Sequence, residues 1–385
     1  MCWTDRLALG LLLAHAGCAA SDALDPCADG GRSAGRLPVT PDPARYEVLW
    51  RAGGGDDHLA TPLPVALSRS GRAAVVDFEL GELFVVEPDG TWRGAVARRG
   101  SGPGELSAPV AAVWADDGSL HVHDLAKPAI VRFADDLSYI GEARVESRAS
   151  AAIFAAGRLD WAGVQPSGAT VFLPGLSQTS AGMATEVVLR VDPARGEADT
   201  LRTGSVPLVR TADGLEAAAP GHSRISAAVG AGGRVGLIGG ADGRVLDIYD
   251  DAGTRILRLC SAPPPEALTD AERGHVADGR FRDLAAAFAD AAVPAEPALH
   301  GRIVLGADGT IWVQRERGSP YPDESGLLGD AGTTFDVFSP GGEHLRTLQL
   351  PESARLQGAL GDTIWAYEVS DLDEVTLVAY RVVAG

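Results

Sequence analysis

RRGSGPGELSAPVAAVWADDGSLHVHD, residues 98–124, recurs in recognisable form 47 residues earlier, where residues 51–77 read RAGGGDDHLATPLPVALSRSGRAAVVD. The two stretches align without a gap and share glycines, a leucine, a proline and a final aspartate. The matching pairs are Arg51/Arg98, Gly53/Gly100, Gly55/Gly102, Leu59/Leu106, Pro62/Pro109, Gly71/Gly118, Val75/Val122 and Asp77/Asp124. A gapless repeat of this length indicates two copies of one structural unit. The glycine-rich part is therefore first of all a connector between units.

Each unit contains four short apolar runs separated by turns rich in Asp, Gly and Pro. In the first unit these runs are residues 65–67, 73–77, 83–86 and 92–97. Runs at this spacing predict antiparallel strands joined by tight turns. A repeat of four such strands is typical of the blade of a β-propeller.

The glycine of the first hairpin allows the units to be counted. It recurs at Gly71, Gly118, Gly157, Gly233, Gly309 and Gly361. The sixth unit lacks a fourth strand, and residues 46–53 align by the same offset with the fourth strand and connector of unit one. We therefore predict an all-β, six-bladed propeller over residues 44–385, closed by an N-terminal strand. Seven blades remain the alternative, because the third unit is long and matches the repeat poorly.

Residues 100–133, GSGPGELSAPVAAVWADDGSLHVHDLAKPAIVRF, carry a family resemblance. Their order of glycine-rich connector, strand, Asp-Gly turn, Val-x-Asp strand and Arg-Phe strand resembles the NHL-type six-bladed β-propellers of exported bacterial proteins. The resemblance implies the architecture, because propellers serve as binding scaffolds, lyases, lactonases and sensors alike.

Two insertions depart from the repeat. Residues 266–293 predict a short helical insertion between the fourth and fifth blades, because Thr269 and Glu272 form a capping box and apolar residues recur at helical spacing. The insertion would cover either one end of the ring or a sheet edge. Residues 318–332 form a second insertion, inside the fifth blade.

The N-terminus predicts export. Residues 1–18 combine Arg6 with a short apolar run and small residues, which is typical of a signal peptide. Two cleavage patterns compete: a lipobox-like end in which Cys18 carries lipid, and ordinary cleavage after Ala16. Lipidation of Cys18 would leave Cys27 and Cys260 as an even pair able to form a disulfide. Residues 19–43 are small, polar and rich in proline, so a flexible tether is predicted there.

Composition narrows the functional classes. The 385 residues include 45% hydrophobic residues, 48 Gly and 24 Pro, which suits an all-β core with many turns, and the net charge of −19 argues against nucleic acid as a partner. The only lysine, Lys127, does not follow a Gly-rich loop as a P-loop requires. Asparagine is absent, whereas the calcium-dependent lactonase propellers that this sequence resembles in fold characteristically use asparagine among their ligands.

Four residues of the repeat were considered for chemistry. His121 and His123 share one face of a strand and could chelate a metal, but the first unit has Ala74 and Val76 at the equivalent positions, which favours a structural role. Asp77 and Asp124 end equivalent strands, which predicts that they cap turns by accepting backbone N–H bonds. A carboxylate in the channel is the other reading of these aspartates.

The connectors of a propeller gather on one face, so a ligand surface is predicted there, at Arg51, His58, Arg98, Arg99 and Glu105. The sequence favours a monomeric, non-catalytic binding or scaffold propeller of the bacterial cell envelope. Its partner would be a small ligand or an envelope protein, and no cofactor is expected. The alternatives are a metal-dependent lactonase or lyase with its site in the central channel, and a sensor module of an envelope complex.

Overall fold

The computed structural model describes residues 31–33, 37–38, 40–53, 59–144, 163–164, 171–179, 183–192, 197–210, 216–218, 225–238, 245–260, 300–315, 334–370, 372 and 374–385. Within these ranges the regular structure consists of strands and one 3-10 turn, Ala231–Gly233, so the described part is all-β. The described ranges contain no helix with the length and apolar character needed to cross a bilayer. The predicted helix at 266–293 and the insertion at 318–332 lie outside the described residues.

The strands form six sheets. Two strands, β1 (Arg32–Ser33) and β2 (Ala44–Ala52), precede the first sheet in sequence and join later ones. Sheet 1 contains β3 (Ala66–Leu67), β4 (Ala73–Asp77), β5 (Glu82–Val86) and β6 (Trp92–Ala97). Sheet 2 contains β7 (Pro109–Trp114), β8 (Leu120–Asp124), β9 (Ala129–Phe133) and β10 (Tyr139–Arg144). Sheet 3 contains β11 (Gly163–Val164), β12 (Val171–Thr179), β13 (Met183–Asp192), β14 (Glu197–Arg210) and β15 (Glu216–Ala218).

The second half of the chain forms the remaining sheets. Sheet 4 contains β16 (Ser226–Val229), β17 (Val235–Ile238), β18 (Val245–Tyr249) and β19 (Arg255–Cys260), with β1 added beside β19. Sheet 5 contains β20 (His300–Leu305), β21 (Ile311–Arg315), β22 (Thr334–Phe338) and β23 (His344–Gln349). Sheet 6 contains β24 (Ala354–Leu360), β25 (Thr363–Val369) and β26 (Val375–Ala384), followed by β2.

Five of these sheets, all but sheet 3, share the predicted blade plan of four successive antiparallel strands. The prediction of equal repeats is wrong for residues 163–218, where β12, β13 and β14 have 9, 10 and 14 residues instead of the usual four to six. The structure therefore contains five regular blades and one larger sheet. The alternative of seven blades is wrong for the described part of the chain, which forms six sheets.

The sheets follow one another around a ring. The first strand of each sheet contacts the next in chain order, and β24 of sheet 6 contacts β3 of sheet 1. Separate clusters of buried apolar side chains fill the spaces between sheets 1 and 2, 3 and 4, 4 and 5, 5 and 6, and 6 and 1. Burial of these faces, at roughly 25 cal/mol per Å², is the main stabilising term of such an arrangement. The chain is thus a β-propeller.

The first hairpins confirm the role assigned to the repeat glycines. In sheets 1, 2, 4 and 5 the turn closes with the same pair of backbone bonds, as in Gly71 N to Ser68 O at 3.0 Å and Ser68 N to Arg72 O at 2.9 Å. The glycine of each turn has a positive φ, +88° at Gly71 and +84° at Gly118. A side chain at Gly118 would also place its Cβ 2.4 Å from Asp135 Oδ1. Gly157 lies outside the described residues.

Polar side chains join neighbouring sheets across the apolar spaces. The Trp114 indole donates to Ala66 O at 3.1 Å, and the Tyr367 hydroxyl donates to Leu63 O at 2.8 Å. Between sheets 3 and 4, Arg202 and Arg258 both bind the buried Asp247. Burial acts to raise the pKa of Asp247, but the two guanidinium groups outweigh this effect and lower it.

The predicted closure by an N-terminal strand is confirmed. β2 pairs with β26 in antiparallel register from Ala44↔Ala384 to Ala52↔Leu377, so both ends of the propeller lie in sheet 6. Glu368 on β25 binds Arg51 of β2 and the Tyr380 hydroxyl of β26. Three strands of the closing sheet are therefore joined by side chains as well as by the backbone.

The described part of the predicted tether, residues 19–43, is packed against the sheets, so flexibility is the wrong description there. Arg32 and Ser33 pair in parallel with Leu259 and Cys260, Leu37 is buried between sheets 4 and 5, and Asp42 and Thr347 exchange two hydrogen bonds. The alternation of buried and edge contacts requires no regular period, which is why the sequence gave no strand signal. Cys260 is disulfide-bonded, and Cys27 as its partner remains a prediction, since Cys27 lies outside the described residues.

Removing β2 should open the ring. We expect a chain lacking residues 1–43 to keep one cooperative thermal transition, and a chain lacking residues 1–52 to lose it, because the second deletion exposes the whole edge of β26. Circular dichroism melting curves of the two chains make the comparison. Equal melting of both would contradict the closure.

Candidate functional site

The glycine-rich connector, residues 98–109, is closed by its own hydrogen bonds. Gly100 N donates to Leu106 O at 2.8 Å, and Gly102 N donates to the Glu105 carboxylate at 2.7 Å. The Lys127 ammonium donates to the carbonyls of Gly102 and Glu105 at 2.7 and 2.6 Å. A Cβ at Gly100 would lie 2.0 Å from Glu105 Oε2, so glycine is required by the folded-over carboxylate. The amides that a phosphate would need are occupied here.

The residues predicted as a ligand face are placed separately. Arg51 binds Glu368, the Arg99 guanidinium donates to Glu79 O, and Glu105 accepts from the connector. Arg98 is exposed, and His58 lies outside the described residues. Three of the five thus hold strands and loops together, and a ligand surface at these positions remains a prediction.

Asp77 and Asp124 cap the connectors, as the repeat predicted. The Asp124 carboxylate accepts four backbone N–H bonds at 2.5–3.1 Å, from Ser107, Ala108, Ala126 and Lys127. Asp77 accepts three, at 2.7–3.0 Å. Both aspartates are fully buried. Each carboxylate ties the incoming connector to the end of the second strand of its sheet, which accounts for its recurrence.

His121 and His123 lie on the face of β8 that points away from the core shared with sheet 1, because Val122 between them belongs to that core. His121 Nε2 lies 3.0 Å from Ser119 Oγ, and both ring nitrogens of His123 are buried without a hydrogen-bond partner. Burial lowers the pKa of His123 to about 4 and also lowers that of His121. The described residues bring no third metal-ligating side chain to this pair.

The largest cavity that the described residues line is the central channel. Its walls come from the first strands of sheets 1, 2, 4, 5 and 6 and their turns, at residues 64–67, 110–114, 227–231, 302–305 and 357–358. The space is about 950 Å³, including its openings to solvent. Valine, leucine, isoleucine, alanine and glycine make up most of the wall. The innermost strands also turn their open edges towards the axis, which supplies unpaired backbone groups.

Two polar side chains stand out on this wall, Arg302 of β20 and Gln357 of β24. Arg302 Nη2 donates to Gln357 Oε1 at 3.0 Å, and Gln357 Nε2 donates to Arg355 O at 3.0 Å. The backbone N–H of Arg302 donates to Oε1 of the buried Gln314 at 3.1 Å. Arg302 is also close enough to Tyr367 to oppose the rise in pKa that burial causes there.

The sequence held a signal for Arg302 that the repeat analysis missed. Counted seven residues back from the turn glycine, Arg302 corresponds to Pro64 in sheet 1, Ala111 in sheet 2 and Ser226 in sheet 4. A charged residue at an uncharged position of a repeat marks a departure from the scaffold. Gln357 had no such signal, because the first hairpin of sheet 6 is shorter.

Comparison with known proteins agrees with the fold. No protein-family model and no curated protein matches the chain, so membership of the NHL family is not shown. Solved structures that resemble it include virginiamycin B lyase from Staphylococcus aureus, with 10% identity, a TM-score of 0.38, and coverage of 87% of this chain and 99% of the lyase. A member of the DUF4221 family from Bacteroides vulgatus has 8% identity, a TM-score of 0.46, and coverage of 90% and 98%. Regucalcin from Agrobacterium tumefaciens, a calcium-binding protein, has 12% identity, a TM-score of 0.41, and coverage of 90% and 96%. At this similarity the likeness says nothing of activity, and the propeller assignment rests on the sheets themselves.

Stability should fall in acid through His123. In the unfolded chain a histidine has a pKa near 6.5, and burial lowers that of folded His123 to about 4. The unfolded state therefore binds the extra proton first, and stability is lost as the pH falls from 6.5 to 4, by about 3 kcal/mol in all. His123→Leu should lose that much less stability than the parent between pH 7 and pH 4, as measured by urea unfolding. The same pH dependence in both proteins would contradict this assignment.

Asp124→Asn should destabilise the propeller by about 3 kcal/mol, because an amide group then faces backbone N–H donors that a buried carboxylate had satisfied. Asp136→Asn is the matched control, since Asp136 caps one exposed turn through Ser138. Its effect on the urea midpoint should be small. Equal effects of the two changes would show that Asp124 does not hold the connector.

Proposed function

We propose that this propeller is a ligand-binding protein and that the ligand occupies the central channel. The observation that carries the proposal is the channel wall, which is apolar over most of its area and presents one joined polar pair, Arg302 and Gln357. Small-molecule sites have this composition: apolar walls supply most of the binding energy, and a few placed polar groups fix the orientation.

The supporting frame is proposed to be six-bladed, with sheet 3 as the irregular sixth blade. β11 contacts β7 of sheet 2 and β16 of sheet 4, which supports a position between those two sheets. Such a ring is rigid because each sheet packs on both neighbours. A rigid ring keeps the channel preformed and so reduces the entropy that ligand binding must overcome. The enzyme alternative, a metal-dependent lactonase or lyase, remains a prediction.

We also propose that the protein works in the cell envelope of a bacterium after export, as residues 1–18 indicate, with lipid on Cys18. The packing of residues 31–43 on sheets 4 and 5 supports a short connection between such an anchor and the ring. Binding of an envelope protein at the connector face is a further proposal of the same kind.

Fluorescence titration with N-phenyl-1-naphthylamine tests the channel site. This neutral, apolar probe brightens in apolar surroundings, so the full chain should bind it. Ala112→Phe places a ring on the channel wall and should weaken binding about tenfold or more, since about 1.4 kcal/mol of lost contact suffices. Ala143→Phe, on the outermost strand β10, is the matched control and should bind as the parent does.

Both variants must first show the far-ultraviolet circular dichroism and melting temperature of the parent. If Ala112→Phe fails to fold, Ala228→Phe, at another lining position, replaces it. Unchanged probe affinity in a folded channel variant, or no binding by the parent, would overturn the proposal.

A further inference from the structure

We propose that the channel selects a ligand with an anionic group, a carboxylate or sulfonate on an apolar body, and that Arg302 binds this group. The inference rests on the proposed function and adds the chemical class of the ligand. Among the described residues that line the channel, Arg302 is the only ionisable side chain.

The charge of the protein makes this position unusual. The chain has a net charge of −19, so its surface as a whole repels anions. Arg302 places a positive group inside the ring, on a strand whose neighbours along the wall are Ile303, Val304 and Leu305. Apolar walls weaken solvent screening, so a charge on a ligand interacts more strongly with Arg302 than it would at the surface.

The guanidinium is also held in place. Gln357 accepts from Nη2 at 3.0 Å, and Gln357 is itself fixed by its bond to Arg355 O at 3.0 Å and is 5% exposed. The backbone of Arg302 is fixed in turn by Gln314 at 3.1 Å. A guanidinium presents five N–H donors in a planar fork, so it can keep the bond to Gln357 while two of its donors bind the oxygens of one acid group.

The apolar wall decides between organic and inorganic anions. A free phosphate would contact Arg302 but leave the valine and leucine surfaces without a partner. An organic anion fills both parts, with its acid group on Arg302 and its apolar body along the first strands. The geometry therefore favours a small organic acid over a free inorganic anion.

A pair of probes that share one ring system makes the test. 8-Anilinonaphthalene-1-sulfonate is N-phenyl-1-naphthylamine with a sulfonate added, so the difference between their affinities measures the anionic group. The full chain should bind the sulfonate about tenfold or more tighter than the neutral probe, as expected for a charge-assisted hydrogen bond in an apolar site. Arg302→Gln should remove this preference by weakening the sulfonate alone, and inorganic phosphate should compete poorly.

Arg45→Gln is the control for net charge, because Arg45 is exposed on the outer strand β2. It should change neither affinity, and Arg302→Lys should retain part of the preference. Binding of both probes in the channel with no effect of Arg302→Gln would overturn this inference and leave the proposed function standing. Loss of both probes to the same extent in Arg302→Gln would overturn it too, since a structural change would explain that result. If neither probe responds to Ala112→Phe, both proposals fail.

Discussion

The antiparallel pairing of β2 with β26 is the contact on which the rest of the propeller depends, because it joins the two ends of the ring in one sheet. Without it, sheet 6 would end in an open edge, and the cores on both sides of that sheet, towards sheet 5 and towards sheet 1, would lose support. Glu368 strengthens the junction by binding Arg51 on one side and Tyr380 on the other. The central channel exists only while this ring is closed.

Closure also explains why the buried polar groups of the blades are placed where they are. Asp77 and Asp124 hold the connectors that lead from one sheet to the next, and Arg202 with Asp247 joins sheet 3 to sheet 4. Each of these groups fixes the position of a neighbouring sheet rather than a ligand. Arg302 and Gln357 differ, since they belong to adjacent first strands and meet on the channel wall. The scaffold and the site thus use polar groups at different radii of the ring.

The sequence predicted the regular blades because their signals are local. The 47-residue offset, the turn glycines such as Gly118 and the capping aspartates each act within one unit, so they are visible in one dimension. Sheet 3 escaped because its strands are long and lack turn residues at the repeat spacing. The polar pair of the channel escaped because Arg302 and Gln357 are 55 residues apart and meet only when sheets 5 and 6 pack. Of the residues predicted to face a ligand, Arg51 and Arg99 have structural partners that no local pattern shows.

Amide hydrogen exchange of the full chain tests the closed ring most directly. The account predicts that amides paired between β2 and β26 exchange only through global unfolding, as slowly as those between β25 and β26 in the same sheet. Exchange of the β2 amides at the rate of a fraying terminus, while β25 stays protected, would contradict it. In that case the N-terminal strand would be an accessory to the ring rather than its closure.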